Sequence, residues 1–265
     1  MNREDEKVIY AVRKKLRQIS KAAEILRQCL AKKGRIFLFG AGTSGRLGVL
    51  EAAECPPTFG TRPDLIQAVI AGGKSAVFAS HEGAEDIPIK PALQKILTPR
   101  DAVVGIAASG LTPFTLSALK LARKRGCRTI FLTCNSQEGR ESLAETVIAL
   151  DVGPEIIAGS TRLKAGTATK ITLNMLTTIA MVRLGKTYGP WMVDLRPISR
   201  KLKLRAVRIV SEITQAPPKT AEKFLNKACG NAKLAILMLK KNLNLSQARQ
   251  KLAASEGFLR RALKD

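Results

Sequence analysis

The residues with the clearest chemistry lie in the stretch 40–60, which reads GAGTSGRLGVLEAAECPPTFG. Glycines let the backbone approach a ligand closely, and a helix start offers unpaired N–H groups and the positive end of its dipole. Thr43 and Ser44 add hydroxyl donors, and Glu54 places a carboxylate beside a rigid turn with two prolines. The stretch therefore predicts a phosphate site with a positioned carboxylate, as in an enzyme or a binder of a phosphorylated small molecule.

The same glycines also fit the Gly-x-Gly-x-x-Gly pattern of dinucleotide-binding folds, through Gly40, Gly42 and Gly45. Such a site needs an acidic residue roughly 20 positions further on, at the end of the second strand, to hold the ribose. The second predicted strand, residues 65–71, ends in Gly-Gly-Lys instead. A nicotinamide or flavin site is therefore disfavoured. A glycine turn that serves only strand–helix packing is an alternative that is disfavoured to about the same degree.

Three further segments carry residues that would complete such a site. Ser109 and Gly110 end a predicted strand in a second turn of small residues, and Thr112 begins the following helix. The sequence HEGAED, which contains Glu85, follows the second strand, and GSTRLKAGTATK at 159–170 precedes a long apolar helix. An exposed glutamate is more often a solvated surface residue than a catalyst, so the carboxylates alone do not decide the function.

The elements that must position these residues are alternating strands and helices. Helical patterns separate the apolar runs, and this alternation predicts an α/β fold with a doubly wound, parallel, five-stranded sheet over residues 34–200. Ligands in such folds bind at the carboxyl ends of the strands. After Pro197 only helical patterns remain, which predicts a C-terminal helical bundle over 201–265. Its three predicted helical segments cover roughly residues 201–214, 220–240 and 246–263, and Ser246 is the expected N-cap of the third. The predicted strands cover residues 35–39, 65–71, 102–107, 129–133 and 147–150.

The N-terminal stretch, residues 1–33, has its own pattern. Residues 4–33 contain no proline or glycine, and apolar residues recur there at alternating steps of four and three. This spacing predicts one long amphipathic helix. Such a helix either pairs two copies of the chain into a homodimer or lies on its own domain.

Composition limits the function further. The chain has 265 residues, of which 45% are hydrophobic, enough for a full core. It lacks both an apolar run of about eighteen residues and a signal peptide, so no membrane association is expected. Five cysteines are scattered along the chain, which suits a reducing cytoplasm. The single histidine, His81, argues against a zinc site or a Ser-His-Asp triad.

The net charge of +24 would suit a nucleic acid, an anionic substrate or simply a basic surface. Aromatic residues make up only 4% of the chain, and the basic residues are spread over most of the predicted helices. No recognised nucleic-acid motif occurs. We therefore expect no specific nucleic-acid partner.

Several blocks of this sequence together resemble the N-acetylmuramic acid 6-phosphate etherases, which combine a sugar isomerase (SIS) domain with a helical C-terminal bundle. The similarity extends over nearly the whole chain, and its ECPPT and GSTRxKAGTA blocks are far more specific than any glycine pattern. Glucokinase regulatory proteins share part of it. The blocks are GAGTSGRLGVLEAAECPPTFG, HEGAED, VVGIAASG, GPEIIAGSTRLKAGTATKITLNML and MVDLRP.

The resemblance implies a cytoplasmic lyase of peptidoglycan recycling, without cofactor or metal. It would convert N-acetylmuramic acid 6-phosphate and water into N-acetylglucosamine 6-phosphate and D-lactate. The two catalytic glutamates of the family fall on Glu54, as the acid toward lactate, and Glu85, as the base. The expected substrate and phosphate contacts are Gly42, Thr43, Ser44, Ser109, Gly110, Thr112, Ser160 and Lys164.

The chain departs from the family pattern in three places. Leu111 stands where the family has an arginine near the phosphate, and Arg17 replaces a proline that splits a helix, which predicts a fused first helix. The family also usually carries a further segment before this N-terminus. Two rival functions remain open, a non-catalytic sugar-phosphate regulator and a sugar-phosphate isomerase, although the ECPPT block argues against the isomerase.

Overall fold

The computed structural model describes residues 1–89, 96–135, 142 and 144–264. By contacts the chain forms two compact units. Unit 1 comprises Met1–Ala53 and Pro63–Ala180, and unit 2 comprises Glu54–Arg62 and Met181–Asp265. This division differs from the ranges expected from the sequence. It groups the first 33 residues with the sheet and starts the main part of unit 2 at Met181 rather than at residue 201.

The centre of unit 1 is a parallel sheet of five strands in the order β2-β1-β3-β4-β5, which confirms the predicted fold class. In the register, Gly40 at the end of β1 lies opposite Ile70 of β2 and Ile106 of β3. The three strands therefore end level, and the loops that follow them meet at one edge. The strands are β1 (Ile36–Gly40), β2 (Ile66–Ile70), β3 (Ala102–Ile106), β4 (Arg128–Thr133) and β5 (Thr146–Ala149).

Helices cover both faces of this sheet. Phe37, Phe39 and Phe131 form one apolar cluster with residues of α4. Alternate side chains of a strand point to opposite faces, and the intervening Ile36 and Leu38 are buried as well. The helices that begin in unit 1 are α1 (Asn2–Arg13), α2 (Leu16–Ala31), α3 (Gly42–Phe59), α4 (Pro113–Lys124) and α5 (Lys164–Arg183), and α3 and α5 continue into unit 2.

The prediction of one long N-terminal helix is wrong. The stretch forms α1 and α2, with a break at Lys14 and Lys15. Leu16, directly after the break, is 46% exposed, so the buried apolar face of α1 does not continue across the break. Arg17, which the resemblance led us to expect in one fused helix, lies instead in the first turn of α2.

Unit 2 contains α6 (Arg200–Thr214), α7 (Pro218–Lys227), α8 (Ala232–Lys241), α9 (Leu245–Ala254) and α10 (Leu259–Lys264). The sequence predicted three helical segments here, but the second and third are each divided. Gly230 and Gly257 adopt φ of +81° and +79°, and such left-handed residues end helices. Ser246 is not the N-cap of α9, because Asn244 forms a capping box with Gln247.

One buried carboxylate ties the start of β1 to the start of β3. The Asp101 carboxylate accepts hydrogen bonds from the backbone N–H of Arg35 at 2.9 Å, from Arg35 Nη2 at 2.9 Å and from the backbone N–H of Thr98 at 2.9 Å. Burial alone would raise the pKa of Asp101, but the hydrogen bonds from Arg35 and Thr98 outweigh it and hold that pKa below its usual value.

We expect Asp101→Asn to lower the free energy of unfolding by about 3 kcal/mol at neutral pH, because it removes one partner of a buried ion pair. A carboxyl whose pKa is lowered on folding stabilises the protein above its unfolded pKa, and this contribution disappears as the pH falls through the folded value. The difference between the two proteins should therefore shrink in acid. Urea unfolding at several pH values measures this difference in the free energy of unfolding.

The exposed Asp151 offers a matched control, and Asp151→Asn should change stability by no more than about 0.5 kcal/mol. Equal stability of the wild type and Asp101→Asn at neutral pH would contradict this role.

Candidate active site

A cavity of about 230 Å³ lies within unit 1 at the edge where β1, β2 and β3 end. Residues from the loops after these three strands, together with Thr161, form its wall. This is the position that the topology of a parallel α/β sheet predicts for a ligand.

The first part of the wall is the first turn of α3, which follows β1 and supplies Gly42, Thr43 and Ser44. Gly42 adopts φ of +51°, a conformation that favours glycine. At Gly45 a Cβ atom would lie 2.5 Å from the Ile70 side chain, so this glycine permits close packing of α3 on the sheet. The first turn of α3, with its unpaired N–H groups and both hydroxyls, therefore faces the cavity and suits an anion.

The second part of the wall follows β3 and supplies Ser109 and Thr112. Gly110, with φ of +72°, shapes this turn but does not line the cavity. Asn135 Nδ2 donates a hydrogen bond to the Ser109 carbonyl at 2.9 Å, which fixes the turn. Thr112 precedes Pro113 at the start of α4, and its side chain does not cap that helix. Two hydroxyl-bearing loops thus border the same cavity, as the sequence predicted.

The third part of the wall lies after β2 and carries the ionisable groups His81, Glu82 and Glu85. Glu85 sits in a short 3₁₀ turn, Ala84–Asp86, and is half-buried. Ser80 also lines the cavity and donates a hydrogen bond to Glu82 Oε1 at 2.5 Å. The structure thus brings the predicted base, Glu85, to the same cavity as the two hydroxyl loops.

Glu54, the predicted acid, is exposed in the part of α3 that belongs to unit 2. It is not among the described residues that line the cavity in unit 1. Its assignment therefore stays a prediction.

Two other predicted contacts lie away from the cavity wall. Lys164 is 1% exposed, and its Nζ donates to Glu4 Oε2 of α1 at 2.6 Å. This hydrogen bond, together with a second one from Lys7, lowers the pKa of Glu4 to about 2. Ser160 is half-buried and does not line the cavity, whereas its neighbour Thr161 does. In this structure Lys164 thus pairs with the N-terminal helix.

The sequence interpretation did not identify Arg46, Ser80 or Thr161 as site residues. All three lie in or beside the blocks that carry the family resemblance, so the signal was present. Which residue of each block faces the cavity depends on the rotational position of the helix and on the path of the loop. The sequence shows neither.

Cysteine and metal chemistry have little support in the described part of the chain. Burial raises the pKa of the Cys29 and Cys134 thiols to about 12 and that of Cys127 to about 11, so these thiols are poor nucleophiles. Among the described residues no group of three His, Cys, Asp or Glu could hold a metal ion. The described residues on the cavity wall offer hydroxyls, the Arg46 guanidinium, His81 and two carboxylates, which suit anion binding and proton transfer. No helix of the described residues is long and apolar enough to span a bilayer.

A profile of the N-terminal SIS domain of glucokinase regulatory protein matches residues 18–123. The N-acetylmuramic acid 6-phosphate etherase 2 of Vibrio cholerae serotype O1 is 48% identical over 268 residues, which cover 100% of this chain and 87% of the relative. The N-acetylmuramic acid 6-phosphate etherase of Salinibacter ruber is 47% identical over 267 residues, which cover 99% of this chain and 86% of the relative.

Solved structures show the same fold at lower identity. A phosphoheptose isomerase from Francisella tularensis matches with a TM-score of 0.54 and 20% identity, covering 68% of this chain and 96% of that chain. At this identity the match supports the SIS-type architecture and says nothing about the reaction.

Proposed function

The chain belongs to the N-acetylmuramic acid 6-phosphate etherase family, and we propose that it cleaves the D-lactyl ether of N-acetylmuramic acid 6-phosphate with water. The products are N-acetylglucosamine 6-phosphate and D-lactate. The observation that carries this proposal is a single cavity that joins two hydroxyl-bearing loops to Glu85.

The reaction needs only groups that move protons. Once the sugar ring opens, the proton on carbon 2 lies next to an aldehyde and is acidic enough for a carboxylate to remove. The lactyl oxygen then leaves carbon 3 and takes up a proton, which gives D-lactate and an unsaturated sugar. Water adds to that sugar at carbon 3. Glu85 serves as the base and Glu54 as the acid, because a carboxylate can accept a proton and a carboxylic acid can donate one.

Thr43, Ser44, Ser109 and Thr112 hold the phosphate. Ser44→Ala and Ser109→Ala should each weaken binding of the phosphosugar by about 1.5–3 kcal/mol, or about 10- to 150-fold, because each removes a hydrogen bond to a charged group. Calorimetric titration, together with an assay of D-lactate release, measures both effects.

A matched control is Ser246→Ala, which removes an exposed hydroxyl in unit 2 and should leave binding and turnover unchanged. Unchanged binding in both loop variants would contradict the phosphate site. Phosphosugar binding without lactate release by the wild type would instead identify a non-catalytic regulator.

We also propose that the chain acts in the cytoplasm as a homodimer without a specific nucleic-acid partner. On α1, Ile9 and Tyr10 are 52% and 59% exposed, and apolar surface of this kind favours pairing. The charge of +24 would attract an anionic substrate. Light scattering should give the mass of a dimer that does not change when duplex DNA is added at physiological salt. A single-chain mass at micromolar concentration would contradict the dimer.

A further inference from the structure

Arg46 connects two walls of the cavity. It lies in α3, directly after the turn that supplies Thr43 and Ser44, and its own side chain lines the cavity. Its Nε donates to the Val77 carbonyl at 3.0 Å and its Nη2 donates to the Ala79 carbonyl at 2.9 Å. A planar guanidinium can make both bonds at once with little loss of side-chain freedom.

The segment that Arg46 holds, residues 74–80, also has local backbone hydrogen bonds, in which Ala76 N–H donates to the Gly73 carbonyl and Ala79 N–H donates to the Ser75 carbonyl. They shape a short 3₁₀ helix, Lys74–Val77, but do not reach α3.

Gly72 and Gly73 precede this segment with φ of +82° and +77°, and Gly83 follows it with φ of +78°. Within it Phe78 is 93% exposed, so this large side chain contributes almost no burial. Ala76 is buried, but an alanine offers little apolar surface. Among the described residues, the two bonds from Arg46 therefore join residues 74–80 to α3.

This segment leads directly into the ionisable wall of the cavity. Ser80, His81 and Glu82 follow the two carbonyls that Arg46 binds, and the turn with Glu85 comes next. A shift at Val77 or Ala79 would be transmitted to these side chains. A displacement of a catalytic group by about 1 Å can cost about a hundredfold in rate.

We propose that Arg46 is a positioning residue that fixes residues 74–80 to α3 and thereby sets the distance between the phosphate loop and Glu85. The proposal rests on the etherase function and adds a residue to it. In this role Arg46 acts through the Val77 and Ala79 carbonyls, and its loss should lower kcat more than it raises KM.

Arg46→Lys is the most direct test, because it keeps the positive charge but not the fork of donors that reaches both carbonyls. Arg46→Met, which removes the charge as well, is the second variant. Backbone hydrogen exchange of the substrate-free proteins should be faster over residues 74–80 in both variants and unchanged over β1. In lactate release, kcat should fall about 10- to 100-fold with little change in KM.

Arg205→Lys, at an exposed position on α6, is the control and should match the wild type in both measurements. Two results would overturn the proposal: unchanged exchange over 74–80 in Arg46→Lys, or faster exchange with an unchanged kcat. A rise in KM alone would also overturn it, because it would make Arg46 a ligand of the substrate. If the wild type releases no lactate, the proposed function fails, and the exchange experiment still decides whether Arg46 holds the segment.

Discussion

Glu85→Gln should lower the rate of D-lactate release on the order of a hundredfold or more. Glutamine keeps the shape of the side chain but cannot accept the proton from carbon 2. Without that step neither elimination nor lactate release can follow. Steady-state assays of lactate with N-acetylmuramic acid 6-phosphate measure the effect, and KM should change little because the phosphate loops remain intact.

The same variant should also stop exchange of the carbon-2 proton with solvent. Mass spectrometry of the phosphosugar after incubation in D₂O detects this exchange directly. Glu82 lies on the same wall and provides the comparison. If Glu82→Gln abolished exchange while Glu85→Gln retained it, the base would be Glu82, and the assignment of Glu85 would be wrong.

Glu54→Gln should also lower lactate release on the order of a hundredfold or more, but for a different reason. As the acid, Glu54 protonates the lactyl oxygen when that oxygen leaves carbon 3. Proton removal from carbon 2 precedes that step, so the variant should still exchange the carbon-2 proton with solvent. Retained exchange with lost lactate release would separate the acid from the base.

The exposure of Glu54 makes this test informative, because an exposed glutamate without a role in the reaction would tolerate replacement by glutamine with little loss of turnover. Glu222→Gln, an exposed change on α7, is the matched control and should keep normal turnover. Near-normal lactate release by Glu54→Gln would remove Glu54 from the mechanism.

The sequence alone predicted the sheet and the loops at its edge. Buried parallel strands such as β1 and β3 are continuous apolar runs, and their turns need glycine and small residues, so both leave a strong pattern. Because parallel strands end level, the topology then predicts that Ser44 and Ser109 border one cavity.

Other features were not visible because they depend on contacts between distant parts of the chain. The ion pair between Lys164 and Glu4 joins residues from opposite ends of unit 1, and no local pattern indicates it. The bonds from Arg46 to two backbone carbonyls leave no sequence signal at Val77 or Ala79, since any residue has a carbonyl. The breaks between α7 and α8 and between α9 and α10 include the left-handed residues Cys229 and Glu256, which carry side chains that rarely adopt that conformation.

The central claim is that this chain breaks the bond between carbon 3 of the sugar and the lactyl oxygen by elimination and then adds water. The most direct test is to incubate the purified protein with N-acetylmuramic acid 6-phosphate in ¹⁸O-labelled water and to analyse both products by mass spectrometry. The mechanism predicts one ¹⁸O atom at carbon 3 of N-acetylglucosamine 6-phosphate, located by fragmentation and separate from label that the carbon-1 aldehyde exchanges with water. It also predicts unlabelled D-lactate, because the ether oxygen leaves with lactate. Label in the hydroxyl group of lactate, or no lactate at all, would contradict it.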